Sequence, residues 1–159
     1  MAMTMQVQGI EELSKKLNAL GDKAEEVASR ALYAGAGVMA DQYTAAANSI
    51  RTQPTTHTED GHKRLATPAE KAAVIGKTGI ARFNRNGTEV DTKVGVGARG
   101  YVEINGKRKA AAKIANAINS GTSFMTKQPV FHRAATQGAG PASAAIVEAA
   151  DRLIEEITK

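Results

Sequence analysis

Apolar positions along the chain follow a helical period at both ends and an alternating one in the middle. Near the start, Ile10, Leu13, Leu17 and Leu20 recur at three- and four-residue steps, which puts them on one helical face. A short strand over 3–7 precedes them, broken by Gly9. Gly21 and Asp22 then punctuate the chain, a glycine to end one helix and an aspartate able to cap the next. From 23 to 50 runs the longest stripe: Ala24, Val27, Ala28, Ala31, Leu32, Gly35, Ala36, Val38, Met39, Tyr43, Ala46 and Ile50. Small residues crowd its centre at Ala31, Ala34, Gly35, Ala36 and Gly37. Each glycine costs a helix about 1 kcal/mol relative to alanine, so the crowding predicts close packing against another backbone, expected to be that of a sheet.

The period then changes. Residues 51–64 hold Thr, His, Gln, Pro, Gly and charges without an apolar anchor, which predicts a long polar loop. Thr67, Pro68, Ala69 and Glu70 form a helix start: a threonine cap, proline at the first position, and glutamate three residues after the cap. That short helix should stop at Gly76. Strands follow over 78–83 and 89–96, joined at Asn86 and Gly87, and a third over 101–104 ends at Asn105 and Gly106. The expected middle is thus a small antiparallel meander. Ile114 and Ile118, four apart, predict a helix over 110–119. After Pro129 the pattern is helical again through Ala135, is interrupted at 137–140, and resumes from Pro141 with Ile146, Val147, Ala150, Leu153, Ile154 and Ile157 on one side. The fold class is α+β: one domain spanning 1–159, a small antiparallel sheet packed against a long N-terminal helix and a C-terminal helix, with a polar loop insertion at 51–76.

Composition narrows what such a fold can do. Aromatics are 4% of residues and tryptophan is absent, so the core leans on Ala, Ile, Val and Leu and is thin enough that a partner subunit is expected to share the burial. The chain has no cysteine, which excludes disulfides and cysteine-based zinc sites. No apolar run approaches the ~18 residues of a membrane span, and the first residues lack the charged and apolar segments of a secretion signal. The expectation is a soluble product made in a cytoplasm, with no membrane partner. The net charge of +5 is uneven. Residues 61–113 carry 12 Lys and Arg against 4 Asp and Glu, a basic block that could face nucleic acid or an acidic protein surface.

A catalytic reading needs convergent groups. His57, Glu59, Asp60 and His62 share the polar loop but match no metal-ligand spacing, and His132 is expected at a helix surface. Gly95, Gly97 and Gly100 spell a G-x-G-x-x-G string, but in a strand region with no following helix. No nucleophile elbow and no phosphate loop is present. The expectation is a protein that is not an enzyme and takes no cofactor or metal. Arg82, Arg85, Lys93, Arg99, Lys107, Arg108, Lys109 and Lys113 could meet phosphates, yet only Phe83 and Tyr101 are available to stack bases. A non-specific nucleic-acid-binding accessory protein is therefore the alternative function.

The most specific string is Gly121, Thr122, Ser123, Phe124, Met125, Thr126, Lys127, Gln128 and Pro129. Gly121 opens a backbone conformation closed to other residues, Thr122 and Ser123 can fix a turn through their hydroxyls, Phe124 and Met125 add apolar anchors, and Pro129 presets the first turn of a helix. With the Gly-Ile-Glu-Glu-Leu opening at 9–13, the long Ala/Gly helix, the polar loop, the meander and the closing amphipathic helix, this string resembles the neck and tail-completion proteins of long-tailed double-stranded-DNA bacteriophages. The resemblance covers nearly the whole chain. Where that family has a proline before the alanine opening the last helix, this chain has His132 and Arg133. The resemblance implies a structural virion protein at the head–tail junction or tail. It implies a homo-oligomeric ring, six copies being the expected order, between head-closure and tail-terminator or tail-tube proteins, with DNA passing its lumen. The turn from Gly121 to Pro129 is then a candidate docking element, and the basic residues of 82–109 would face the channel or acidic neighbours.

Overall fold

A computed structural model describes residues 2–4, 21–54, 62–86, 89–97 and 100–158. The helix expected over 10–20 and residues 5–7 of the first strand lie outside them. Two long helices form the frame. Helix α1, Ala24–Asn48, buries Val27, Ala31, Leu32, Gly35, Ala36, Met39, Tyr43, Ala46 and Ala47, the stripe that the sequence period marks. It follows a single 3-10 turn, Gly21–Lys23, so Lys23 rather than Asp22 stands at its N-cap and makes no side-chain capping bond.

Its partner is the last helix, whose number follows from the two short helices between them: α2, Pro68–Ile75, and α3, Ala111–Ser120. Helix α4, Val130–Thr158, runs antiparallel to α1. Tyr43 stacks on Phe131 at 5.6 Å between ring centres near one end, Ala31 and Leu32 cluster with Ile146, Ala149 and Ala150, and Val27 meets Leu153 near the other end. Gly35 thus serves the crossing with a helix rather than the sheet that the sequence suggested, while Ala34 and Ala36 lie in clusters that also hold Val90, Val94 and Val96 from the strands. A Cβ on Gly35 would come within 2.8 Å of the Ala142 carbonyl oxygen and overlap Ile146, and one on Gly138 would come within 2.7 Å of the Met39 sulfur. Each helix supplies a glycine where the other's bulk crosses. Gly37 faces open space and has no such role.

Helix α4 passes through the expected interruption without a break, with Pro141 inside it. A proline in a helix loses one N–H bond and crowds the residue before it; here that residue is Gly140, which has no Cβ to crowd. Packing on α1 at Gly138 and Ala142, either side of the proline, outweighs the local preference to stop.

Apart from the first, the strands lie between the two long helices in sequence, and together they form three sheets rather than one meander. β5, Lys93–Val96, is flanked by β1, Ala2–Thr4, and β2, Thr78–Ile80, both antiparallel to it. β3, Asn84–Asn86, pairs with β4, Glu89–Asp91. The expected first hairpin is therefore split. Ile80 pairs with Val94 and Asn84 with Asp91, which leaves one more residue on the first strand than on the second, a β-bulge count. The bulge is held where the Ala81 N–H reaches the Lys93 carbonyl at 2.7 Å and the Thr92 hydroxyl donates to the Ala81 carbonyl at 2.9 Å. β6, Tyr101–Ile104, and β7, Lys107–Ala110, form a separate hairpin. Its turn has Asn105 at φ 53° and Gly106 at φ 70°, the two positive values that a type I′ turn requires and that Asn-Gly supplies. The G-x-G-x-x-G string spans β5 and the link to β6 and has no helix after it. Val94, Val96, Ile104, Ile114, Ile118 and Phe131 join Met39 and Tyr43 in one buried cluster, so strands, α3 and the α1/α4 pair share a core.

Candidate docking site

The string from Gly121 to Pro129 is a connector between α3 and α4, clamped on three sides. Gly121 ends α3 at φ +76°, and a Cβ there would also press on the Lys127 backbone nitrogen at 3.2 Å. The Thr122 hydroxyl accepts from the N–H groups of Phe124 (3.3 Å) and Met125 (3.0 Å), while its own N–H donates to the Met125 carbonyl. Met125 is 2% exposed and anchors the turn in the core. Gln128 is 4% exposed, and its side-chain amide does double duty: Oε1 accepts from the Arg51 N–H at 2.9 Å and Nε2 donates to the Arg51 carbonyl at 3.0 Å. Its own N–H donates to the Ile118 carbonyl. Asn119, at the end of α3, then caps α4: its Oδ1 accepts from the N–H groups of Phe131 (3.1 Å) and His132 (3.2 Å). The sequence pattern does not reveal that cap, because a capping side chain is sought next to the helix it caps and this one comes from the preceding helix.

The third side is the chain around Arg64, in the segment that the sequence marks as an unanchored polar loop. Arg64 and Met125 form a parallel β-bridge, with the Arg64 N–H donating to the Phe124 carbonyl (2.9 Å) and the Thr126 N–H to the Arg64 carbonyl (2.8 Å). The Arg64 guanidinium turns inward. It makes two bonds to the Glu70 carboxylate, Nη1 to Oε2 at 2.7 Å and Nη2 to Oε1 at 2.8 Å, and a third to the Leu65 carbonyl. Glu70 is 3% exposed and also accepts from the Thr67 N–H at 2.9 Å, while the Thr67 hydroxyl accepts from the Glu70 N–H, completing the capping box that the sequence predicts. Burial by itself pushes the Glu70 carboxyl up; the Arg64 bonds and the Thr67 N–H outweigh it, with a smaller pull from the nearby Lys109, and hold it below the usual glutamate value. Polar residues thus anchor this stretch, which is why an apolar pattern did not reveal it.

What remains outward on the turn is Ser123, Lys127 and above all Phe124, 58% exposed with the Arg64 guanidinium carbon 5.7 Å from its ring centre. A rigid backbone therefore presents one aromatic side chain to solvent.

The candidate basic residues do not form one patch. Lys107, Arg108 and Lys109 are exposed along β7, with the Arg108 guanidinium 4.4 Å from the centre of the Tyr101 ring. Arg82 is exposed in the bulge after β2, and Lys93 is exposed on β5. Arg99 and the side chain of Arg85 lie outside the described residues, as do His57, Glu59 and Asp60; His62 is exposed. Among the described residues no group of three or more His, Asp or Glu side chains could hold a metal ion, and no helix is long and apolar enough to cross a membrane.

No protein-family model matches the chain, and no curated protein or solved structure matches it.

Proposed function

We propose that the chain is a structural subunit of the head–tail junction of a long-tailed double-stranded-DNA bacteriophage, acting in tail completion as one copy in a ring that joins the tail to the DNA-filled head. The observation that carries this reading is the 121–129 turn. Four of the residues that the string has in common with the neck and tail-completion proteins serve a mechanical purpose. Gly121 sets the backbone, Thr122 closes the turn, Met125 anchors it and Gln128 clips it to Arg51. Such a turn fixes shape and offers Phe124 to a neighbour, which suits a joint between rigid parts. Head-closure and tail-terminator or tail-tube proteins are its neighbours in this reading, and the exposed cations of β7 meet them or the passing DNA.

Deleting the gene from the phage that encodes it is expected to leave filled heads and detached tails in electron micrographs. Joining should return when the wild-type chain is supplied in trans, and fall when Lys107, Arg108 and Lys109 are all replaced by glutamate. Normally tailed particles from the deletion overturn the reading. The same exposed cations favour a second reading, a non-specific nucleic-acid-binding protein. It requires the isolated chain to bind duplex DNA with an affinity that falls steeply with salt, since each neutralised phosphate releases counterions.

A further inference from the structure

The outward side of the 121–129 turn belongs to a small ladder of three segments. Thr52 bridges Ala66 and Arg64 bridges Met125, both in parallel, so the chain at 64–66 lies between its neighbours at 52–53 and 125–126. Arg64 and Met125 are both buried. Side chains alternate along an extended chain, so Lys63 and Phe124, one position earlier on each segment, share the opposite, outward face, on backbones about 4.8 Å apart. Both are exposed, and the Thr126 hydroxyl donates to the Lys63 carbonyl at 3.2 Å, which ties Lys63 to the turn. Arg51, whose backbone groups the Gln128 amide holds, and Lys127 are exposed on the two flanking segments.

The charge of this face has one sign. The described residues 48–54, 62–67 and 121–133 include no Asp or Glu. Arg64 spends its charge on the buried Glu70, but Arg51, Lys63 and Lys127 make no ion pair within 4 Å among the described residues. From 104 to 147 the chain carries six Lys and Arg and no Asp or Glu, so the adjoining α3 and the start of α4 bring no carboxylate either. Among these cations stands Phe124, at 58% the most exposed of the large hydrophobic side chains.

We infer that this face docks on an acidic protein surface, an apolar pocket of a neighbouring virion protein rimmed by Asp and Glu. Phe124 enters the pocket, and Arg51, Lys63 and Lys127 meet the carboxylates around it. Interfaces concentrate their energy in such an aromatic anchor and surround it with polar contacts that exclude water. A turn that is rigid before binding also loses little freedom on binding. Nucleic acid fits this face less well, because successive bases stack on successive rings and here there is one ring. The contact deepens the head–tail joint reading and rests on it.

The deletion strain supplies the probes, its filled heads and its detached tails. Purified full-length chain is expected to co-sediment with one of them. Raising salt from about 0.05 to about 0.5 M should cut that retention several-fold. Phe124→Ala should cut it about tenfold or more, and Phe124→Trp, which keeps an aromatic anchor, should restore it. Lys63→Glu with Lys127→Glu, introduced into the phage, should stop joining. Plaque-forming revertants of that phage should carry an Asp or Glu changed to a neutral or basic residue in another virion gene, an outcome that misfolding cannot produce. Retention by neither heads nor tails, retention indifferent to salt or to Phe124→Ala, or revertants without such a change overturns the contact. So does retention that nuclease removes, which would make DNA the occupant. Joining by the wild-type chain in the deletion strain is scored separately, so the contact can fail while the assembly role stands.

Discussion

Arg64 and Glu70 place a full ion pair under the surface of a protein whose core is mostly aliphatic. Such a pair gains little over an apolar replacement, but removing one member leaves the other buried and uncompensated, at a cost of about 3–5 kcal/mol. Here the pair also fixes a path: the guanidinium holds the start of α2, while the Arg64 backbone holds the 121–129 turn. The folded Glu70 carboxyl sits below its ordinary value, so its contribution is complete above the usual glutamate range and is lost as pH falls toward the folded value. Glu70→Gln is therefore expected to be less stable than wild type at neutral pH, and the gap should narrow as pH falls through and below the usual glutamate range, where the wild-type carboxylate takes up its proton. Urea midpoints measured across that range check it; a gap independent of pH would show that Glu70 is not held ionised by Arg64.

Between elements, the α1/α4 pair sets out which glycines matter. Gly35 and Gly37 are two residues apart in one helix and read alike in the sequence, since both merely lower helix propensity. In the fold, Gly35 lies under the Ala142 carbonyl, which cannot move without moving α4, whereas Gly37 faces open space. Gly35→Ala is expected to lose about 1–3 kcal/mol through overpacking, and Gly37→Ala to gain up to about 1 kcal/mol through propensity. Thermal melting of the two variants should shift in opposite directions; equal shifts would mean that the helices do not cross at Gly35. The same pairing explains what was legible at this scale. The α1 stripe, the capping box of α2, the span of α3 and the Asn105, Gly106 turn were readable, because each rests on neighbours in the chain. The passage of α4 through Gly138, Gly140 and Pro141, the partner of Gly35, the bulge that splits the first hairpin and the Asn119 cap were not, because each is decided by a residue distant in the sequence. At the candidate site the string itself stood out, but its clamp on Arg51 and Arg64 did not, since nothing local marks a glutamine amide or a buried arginine as an anchor.

Across the whole molecule, the middle of the chain leaves a two-helix frame and returns to it, and the place of return is marked by one side chain. The Gln128 amide bonds both backbone groups of Arg51, 77 positions earlier. That clip lies beside the point where Tyr43 stacks on Phe131, so the long helices can align at that end only once the intervening segment has closed on itself. Closing a loop of this length costs chain entropy that grows as about 3/2 RT ln n, to be met before the contacts it permits repay it. The consequence is kinetic. Helical pairs of adjacent segments fold fast, but this pair has the contact order of a far less local topology and should fold correspondingly slowly. If the clip forms after the rate-limiting closure, Gln128→Ala should leave the refolding arm of the chevron almost unchanged and carry its destabilisation, about 1–3 kcal/mol for the two lost bonds, in faster unfolding. Stopped-flow traces in denaturant decide it: a slowed refolding arm would put the clip in the nucleus instead. A joint that forms last is also the one that opens first, and it lies next to the turn that offers Phe124 to a neighbour.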